Sequence, residues 1–448
     1  MEGGIKPKSK QMAEAKQKTE LKPTSATRLE IWRRFLLSGW QRWQEPLVIF
    51  IGMRLALGAL PFFAWVLFPV VAPQSRSGFS LPTLNFWGER LLTTWGHWDG
   101  EWFLKIATQG YQSTDDSLAF FPLYPLLVKL LGFVFLGNNL LAGVVLSSGA
   151  ALAVLILLYE LARRDFDRET AGRTIFYLAI FPTAFFLCAI YSESLFLALV
   201  LGSFLVARHG RQWWLAGILA ALATLTRNLG VTLILPLAWE WWQQGRAQRL
   251  ELGGKRFSFS ISIGSGLSWR NLLALALPVV ALVGWLGWVG LNFGNPLAIF
   301  GAQAGWDRRF NWPWNTLVDA TRIFFTPRGP DGFPPPKAFW DEPTLIDFPF
   351  YLLLGGLFLY GCWRWWRGKL PFSYLLFLAI GLIFPLLSPA QRVPLLSFPR
   401  FALTLFPAFM LLAQLGSKWR WFHYIYLYTA LVLLGLFFAR FANWYWIA

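Results

Sequence analysis

An all-α polytopic membrane protein is what this sequence predicts, on three observations. Of 448 residues, 56% are hydrophobic and only 14% are charged, too few charges to cover a soluble chain of this length. Aromatics reach 18%, with 27 Trp, the residue that gathers where hydrocarbon meets water. Apolar runs of the length needed to cross a bilayer, about 17–25 residues, recur from residue 47 onward.

These runs lie near 47–71, 139–161, 174–190, 192–207, 213–243, 271–291, 350–366, 372–388, 401–416 and 421–440. The run 213–243 is too long for one crossing. It is interrupted by Arg227-Asn228 and Gly230, so it divides into two short helices meeting at the outer surface. The run 120–136 is ambiguous. If it crosses, the loop Arg163-Arg164-Asp165-Phe166-Asp167-Arg168 lies outside. If it dips in or lies along the interface, the basic clusters at 163–173, 208–211, 246–270, 364–369 and 418–420 all fall inside with the N-terminal tail. That assignment puts about 26 of the 40 Lys and Arg in the cytoplasm. Pro122 and Pro125 also suit a helix that begins at the interface. The expectation is therefore about eleven spans, with the N-terminus cytoplasmic and the C-terminus outside; a twelfth span at 120–136 is the alternative. Residues 1–46 form a basic cytoplasmic tail, and 47–448 form one transmembrane domain with large extracytoplasmic loops at about 72–138 and 292–349.

The net charge of +17 does not call for nucleic acid, because most of the Lys and Arg sit in short loops between apolar runs. Ten lie in the first 46 residues, including Lys6, Lys8, Lys10, Lys16, Lys18 and Lys22. That segment lacks the apolar core of a signal peptide and suits a tail resting near anionic lipid. Cys188 and Cys362 each fall in an apolar run, which argues against a disulfide framework. His97, His209 and His423 are far apart, so no histidine metal site is expected.

Chemistry concentrates in a few places. The first loop reads Trp95-Gly96-His97-Trp98-Asp99-Gly100-Glu101-Trp102-Phe103-Leu104-Lys105. A partly desolvated carboxylate such as Asp99 can serve as a general base; equally, Asp99 can simply cap the helix that follows. Asp115-Asp116 can bind a metal or a sugar hydroxyl, although such pairs are more often solvated turns. Tyr191-Ser192-Glu193-Ser194 sits between two expected spans, where a carboxylate needs partners, and where Ser192 or Ser194 can also act as a cap. Arg227 interrupts an apolar run, which is costly unless it is paired, faces a polar cavity or snorkels outward. A lipid phosphate is a fitting partner for a guanidinium fork. Arg392 and Arg400 fall on the same expected side. Arg54, inside the first span, is expected to snorkel toward the cytoplasm. The second loop is rich in Trp, Pro and Gly, through Trp306, Trp312, Pro313, Trp314 and Pro334-Pro335-Pro336, and loops of that kind commonly cap a site.

In order and approximate spacing, these motifs resemble one family. They are His97-Trp98-Asp99 with Gly110-Tyr111, Phe120-Phe121-Pro122-Leu123-Tyr124-Pro125, Tyr191-Ser192-Glu193-Ser194-Leu195-Phe196, Thr226-Arg227-Asn228-Leu229-Gly230, Gly294-Asn295-Pro296 with Gln303-Ala304-Gly305-Trp306, and Pro399-Arg400-Phe401. The family is that of the second mannosyltransferase of GPI-anchor biosynthesis (phosphatidylinositol-glycan class V), in its prokaryotic branch. The resemblance implies a GT-C glycosyltransferase fold in a prokaryotic plasma membrane. It also implies a polyprenyl-phosphate sugar donor and an active site on the extracytoplasmic face. It places the family's loop carboxylate at Asp99, its serine-flanked acid at Glu193 and its motif arginine at Arg227, with Leu229 standing as an insertion before Gly230.

The scheme that follows moves a hexose, mannose by resemblance, from that donor to a hydroxyl acceptor with inversion. Asp99 is the base and Glu193 its catalytic partner. Arg227, Arg400, Arg392 and Lys105 hold the donor phosphate. His97, Trp98, Glu101, Tyr124, Tyr191, Asn228, Gln303 and Trp306 contact substrate. The scheme requires no cofactor, although Asp115 and Asp116 leave a divalent metal possible. The competing reading is a transporter or flippase of lipid-linked sugars, which would be expected to show repeats and paired broken helices.

Overall fold

In hydrocarbon a chain must satisfy its own backbone N–H and C=O groups, and the computed structural model is helical almost throughout. It describes residues 28–71, 77–252, 269–326 and 343–447. The tail lysines, Pro334-Pro335-Pro336 and much of the basic cluster 246–270 lie outside the described residues. The chain divides into two units, Met1–Glu45 and Pro46–Ala448; every site residue belongs to the second.

The described residues contain α1 (Arg28–Leu67), α2 (Phe86–Leu91), α3 (Asp99–Gln109), α4 (Leu123–Val134), α5 (Asn139–Asp165), α6 (Arg168–Ala179), α7 (Glu193–Arg208), α8 (Trp213–Thr226) and α9 (Ile234–Leu252). After these come α10 (Trp269–Phe293), α11 (Ala298–Ala304), α12 (Pro313–Phe325), α13 (Thr344–Trp366), α14 (Phe372–Leu387), α15 (Phe398–Ala402), α16 (Phe406–Lys418) and α17 (Arg420–Ala442). By length and composition, five can cross a membrane: Trp43–Leu67 of α1, α5, Arg270–Phe293 of α10, α13 and α17.

The remaining apolar runs are shorter helices or are broken. The run 213–243 divides at Arg227, as its sequence indicates, into α8 and α9 with a 3-10 turn, Asn228–Leu233, between them. The run 174–190 is not one helix. Its helix stops at Ala179, and the chain from 180 to 192 is buried, with one 3-10 turn at Ala184–Leu187. Pro182 supplies the reason, since it lacks an N–H and disfavours helical geometry at Phe181 before it. The run 401–416 is likewise divided between α15 and α16. Helix α4 has 12 residues, about 18 Å at 1.5 Å each, and falls short of a hydrocarbon core about 30 Å thick. Leu126, Leu130, Phe133 and Val134 along it are exposed, which suits a helix lying at the interface rather than crossing.

Helix α8 packs along α7 and α10. At its crossing with α10, a Cβ added to Gly217 would stand 2.1 Å from the Ala274 carbonyl oxygen, so the close approach depends on a residue without a side chain. At the far end of α5 from Asn139, Arg208 joins Asp165 at 2.9 Å and also pairs with Glu240. Tyr374 and Ser373 donate to those two carboxylates. This cluster ties α5, α7, α9 and α14 together.

Both large loops are folded. In the first, α2, a 3-10 turn at Thr93–Gly96, α3, a second turn at Asp116–Ala119 and α4 follow in sequence. Trp95 is buried and stacks on Phe438 of α17, 5.1 Å between centroids. In the second, Arg308 and Ala390 form an antiparallel bridge. The bridge is extended by Arg309 N donating to Pro389 O, Asn311 N to Leu387 O and Gln391 N to Asp307 O. The Arg54 guanidinium lies 4.8 Å over the Trp95 ring of the first loop, which offers it a π face. Cys188 and Cys362 are free thiols.

Candidate active site

A cavity of about 700 Å³ opens between the two loops and the helix ends around Arg227 and Arg400. Its wall includes Asp99, Tyr191, Glu193, Arg227, Asn228, Gln303, Trp306, Arg308, Arg309 and Arg400. The size suits a small polar head group.

Asp99 starts α3. The residue before it, Trp98, has φ 59° and ψ −120°, so the chain turns sharply at the point where the carboxylate enters the cavity. Tyr191 fixes this corner: its hydroxyl donates to His97 O at 3.2 Å and accepts from Asp99 N at 3.1 Å. Because Tyr191 immediately precedes the Ser192-Glu193 pair, the same contact sets the first loop against the start of α7.

The charged groups form a chain. Arg400 Nη1 lies 2.6 Å from Asp99 Oδ2, and Arg400 Nε lies 3.2 Å from Glu193 Oε1. Arg227 Nη1 lies 2.6 Å from that same Glu193 oxygen and donates to Ser192 Oγ at 3.2 Å. Glu193 is 1% exposed, and such burial is tolerated only because two guanidiniums face it. Arg227 presents its cation because α8 ends one residue earlier and Arg227 itself is extended, φ −153° and ψ 144°. The turn that follows doubles back so closely that a Cβ on Gly230 would stand 2.3 Å from Thr224 N. That contact is with backbone, which cannot rotate away. Arg400 is delivered by α15, which starts after Ser397 in the left-handed region, φ 70°. Thr183 Oγ1 anchors α15 by donating to Pro399 O at 2.8 Å.

Arg308 and Arg309 bring further cations that the sequence reading passed over. Arg308 is half-buried and donates to Ser388 O and Leu396 O at 3.1 and 3.2 Å. Burial, then the repulsion of Arg400 and Arg227, press its pKa down to about 10 despite the opposing pull of Asp99 and Asp347. The lining thus holds four arginines against two carboxylates, Asp99 and Glu193, and both carboxylates are already engaged. This is a setting for an anion.

Other residues expected at the site stand elsewhere. Lys105 Nζ pairs with Asp115 Oδ2 at 2.6 Å and donates to Ser77 O at 2.7 Å; it does not line the cavity, because an acid ten residues along the loop claims it. Burial alone would raise the Asp115 carboxyl, but hydrogen bonds from Lys105 and Ser117 hold it below the usual range. Asp116 lies against Gly305 of the second loop. Arg392 is exposed and outside the lining. Glu101 accepts from Ser77 Oγ at 2.8 Å. Tyr124 is fully buried with its hydroxyl on Ser147 Oγ at 2.6 Å, as a phenol inside an apolar core requires. Neither Glu101 nor Tyr124 lines the cavity. No group of three or more His, Cys, Asp or Glu that could hold a metal occurs among the described residues.

His97 also lies outside the lining. It is 4% exposed, stacks on Trp444 with centroids 3.9 Å apart and has Nδ1 3.2 Å from Phe441 O. That acceptor assigns the proton of the neutral ring to Nδ1. Burial drives its pKa down from 6.5 to about 3, with Arg90 adding to the effect. The folded form therefore binds fewer protons than the unfolded one between about pH 3 and 6.5. The stability from neutral His97 is complete above pH 6.5 and falls as pH drops through that window. At pH 5 the loss relative to pH 7 amounts to about 2 kcal/mol. Substitution His97→Phe, which keeps the stack, is expected to remove that increment from the difference in unfolding free energy between pH 7 and 5. An unchanged pH dependence would contradict the assignment.

Residues 70–243 match the family model described as Mannosyltransferase (PIG-V). The chain is 36% identical over 110 residues to GPI mannosyltransferase 2 of Drosophila pseudoobscura pseudoobscura, covering 22% of this chain and 24% of that one. It is 32% identical over 188 residues to GPI alpha-1,6-mannosyltransferase 2 of Cricetulus griseus, covering 37% and 36%. The matched segments thus span about a quarter to a third of those relatives. Among solved structures, the chain is similar to the apo oligosaccharyltransferase of Archaeoglobus fulgidus, at 14% identity and a TM-score of 0.45, over 91% of this chain and 56% of that one. Over residues 70–243, the segment that carries Asp99, Glu193 and Arg227, the chain matches the PIG-V mannosyltransferase family, the family its motifs resemble.

Proposed function

We propose that the protein is a GT-C glycosyltransferase. It would move a hexose, mannose by family likeness, from a polyprenyl-phosphate donor to a hydroxyl acceptor on the extracytoplasmic face, with inversion. The observation that carries this reading is the chain Asp99–Arg400–Glu193–Arg227 inside one cavity, with a surplus of arginine around it.

In this reading the donor phosphate enters among Arg227, Arg308 and Arg400. It competes with Asp99 for Arg400, so donor binding releases the carboxylate to accept a proton. Asp99 then takes the proton of the acceptor hydroxyl, and that oxygen attacks the anomeric carbon from the face opposite the phosphate. The bond from the anomeric carbon to the phosphate oxygen breaks, and the leaving lipid phosphate gains negative charge. The arginines stabilise that charge as it grows. Phosphate departs as an anion, so no protonating acid of the glycosidase kind is needed. Glu193 keeps Arg227 and Arg400 facing the cavity. Trp306 stands at its wall beside Phe120, with ring centroids 6.1 Å apart, and can bear on a sugar face while keeping water out. Lys105 and Arg392 have no part in holding the phosphate.

The test is transfer by the purified protein in lipid discs, given a polyprenyl-phosphate hexose and a hydroxyl acceptor, with the anomeric configuration of the product read by NMR. Arg308→Ala is expected to raise the donor KM about 10- to 100-fold, the worth of a hydrogen bond to a charged group, and to leave the acceptor KM unchanged. Absence of any sugar release or transfer from such donors would sink the reading.

A further inference from the structure

Three cations from separate parts of the chain gather around one aromatic ring. The guanidinium of Arg227 lies 5.2 Å from the centroid of the Phe401 ring, that of Arg400 5.2 Å and that of Arg308 5.7 Å. All three are within reach of a cation–π attraction. Arg227 comes from the end of α8, Arg308 from the bridge of the second loop and Arg400 from α15. Like charges so placed repel one another; after burial, the repulsion of Arg400 is the next cause pressing the Arg308 pKa down. Something must hold the three together.

Phe401 is firmly placed to do so. The other four residues of α15 are buried, whereas Phe401 is half-buried and stands on the cavity wall. Its N–H donates to Ser397 O at 3.2 Å, and its carbonyl accepts from Thr404 N at 3.0 Å and Thr404 Oγ1 at 2.8 Å. Glu193 also draws Arg227 and Arg400 together, but its charge offsets theirs. A phenyl ring attracts cations through its quadrupole and carries no net charge. It therefore concentrates guanidiniums and leaves their positive charge available to an anion. Arg400 also has the rings of Tyr191 and Phe186 at 5.3 and 5.7 Å, so Phe401 matters most to Arg227 and Arg308.

We infer that Phe401 is a positioning residue of the cavity: its ring gathers Arg227, Arg308 and Arg400 into one cluster for a lipid phosphate without cancelling their charge. The inference rests on the reading of these arginines as the donor-phosphate site. It adds an apolar side chain to a charged site, and makes the electronic character of that side chain, rather than its bulk, the property that sets phosphate affinity.

The test places phenylalanine bearing one, two or three ring fluorines at position 401 of the full chain in lipid discs. Fluorine draws charge from the π face and changes the size of the ring little. The probe is farnesyl phosphate, a lipid phosphate without a sugar. The wild type is expected to bind it, and the trifluoro ring to weaken that binding about 3- to 30-fold, with smaller losses for one and two fluorines and an unchanged Tm. Phe401→Leu is expected to match the loss and Phe401→Tyr to keep wild-type affinity; if Phe401→Leu has a lowered Tm, the fluorine series decides. Equal binding across the series overturns the inference. So does a loss seen with polyprenyl-phosphate hexose but not with farnesyl phosphate, which would make the ring a platform for the sugar. No binding of farnesyl phosphate by the wild type overturns both the inference and the phosphate site beneath it. A graded loss in a protein that never transfers a hexose leaves the inference standing and removes the transferase reading.

Discussion

Substitution Asp99→Asn lowers sugar-transfer turnover by about 10²- to 10⁴-fold, the usual contribution of a positioned base, while donor affinity holds or improves. The second half of the expectation follows from geometry. Arg400 donates to Asp99 at 2.6 Å and stands 3.2 Å from Glu193 as an ion pair, so neutralising Asp99 leaves a guanidinium freer to meet a phosphate. A fall in kcat with an unchanged or lower donor KM separates loss of the base from loss of the fold. Turnover equal to wild type removes Asp99 as the base and leaves it the cap of α3.

Arg400→Met is expected to cost both stability and activity, for one reason. The Arg400 and Asp99 side chains are 10% and 11% exposed, and that of Glu193 is 1% exposed. Removing one member of a buried ion pair costs about 3–5 kcal/mol, because the remaining charge is stranded. Among the described residues Asp99 is then left without a counter-charge at hydrogen-bond distance, whereas Glu193 keeps Arg227 at 2.6 Å. The double variant Asp99→Asn, Arg400→Met removes one charge of each sign and leaves Glu193 paired with Arg227. It is expected to recover most of the lost Tm and none of the transfer. Recovery of transfer along with stability would mean that the cluster serves only to hold the bundle together.

The sequence announced a helical membrane protein because composition and run length are local properties. The break at Arg227 and the short helix at 123–134 were legible for the same reason: a charge inside an apolar run and a pair of prolines each speak for themselves. Asp99, Glu193, Arg227 and Arg400 could be grouped before their distances were known, since each is an ionisable residue set among apolar or aromatic neighbours, where charges are expensive. Arg308 carried no such mark. Its place depends on carbonyls of Ser388 and Leu396, 80 and 88 positions away, and on backbone pairing that no periodicity reveals. His97 was misjudged because its pocket is built by residues near 441–444, about 344 positions along the chain. Lys105 was the avoidable error, since Asp115 stands ten residues beyond it in the same loop. The run 174–190 failed because apolar content was weighed above the proline inside it.

The pairing of Arg400 with Asp99 joins residues 301 positions apart, and this bears on how the protein is made. A ribosome delivers both carboxylates and Arg227 well before it delivers Arg400. Glu193 can find its first partner within 34 positions, but Asp99 has to wait for three hundred. During that interval the first loop holds an unneutralised acid at the membrane, which favours keeping Asp99 hydrated and the loop open. Closing so long a loop is entropically slow. The Asp99–Arg400 pair is therefore the part of this cluster that forms last, and fragments ending before residue 400 lack the counter-charge that pairs with Asp99.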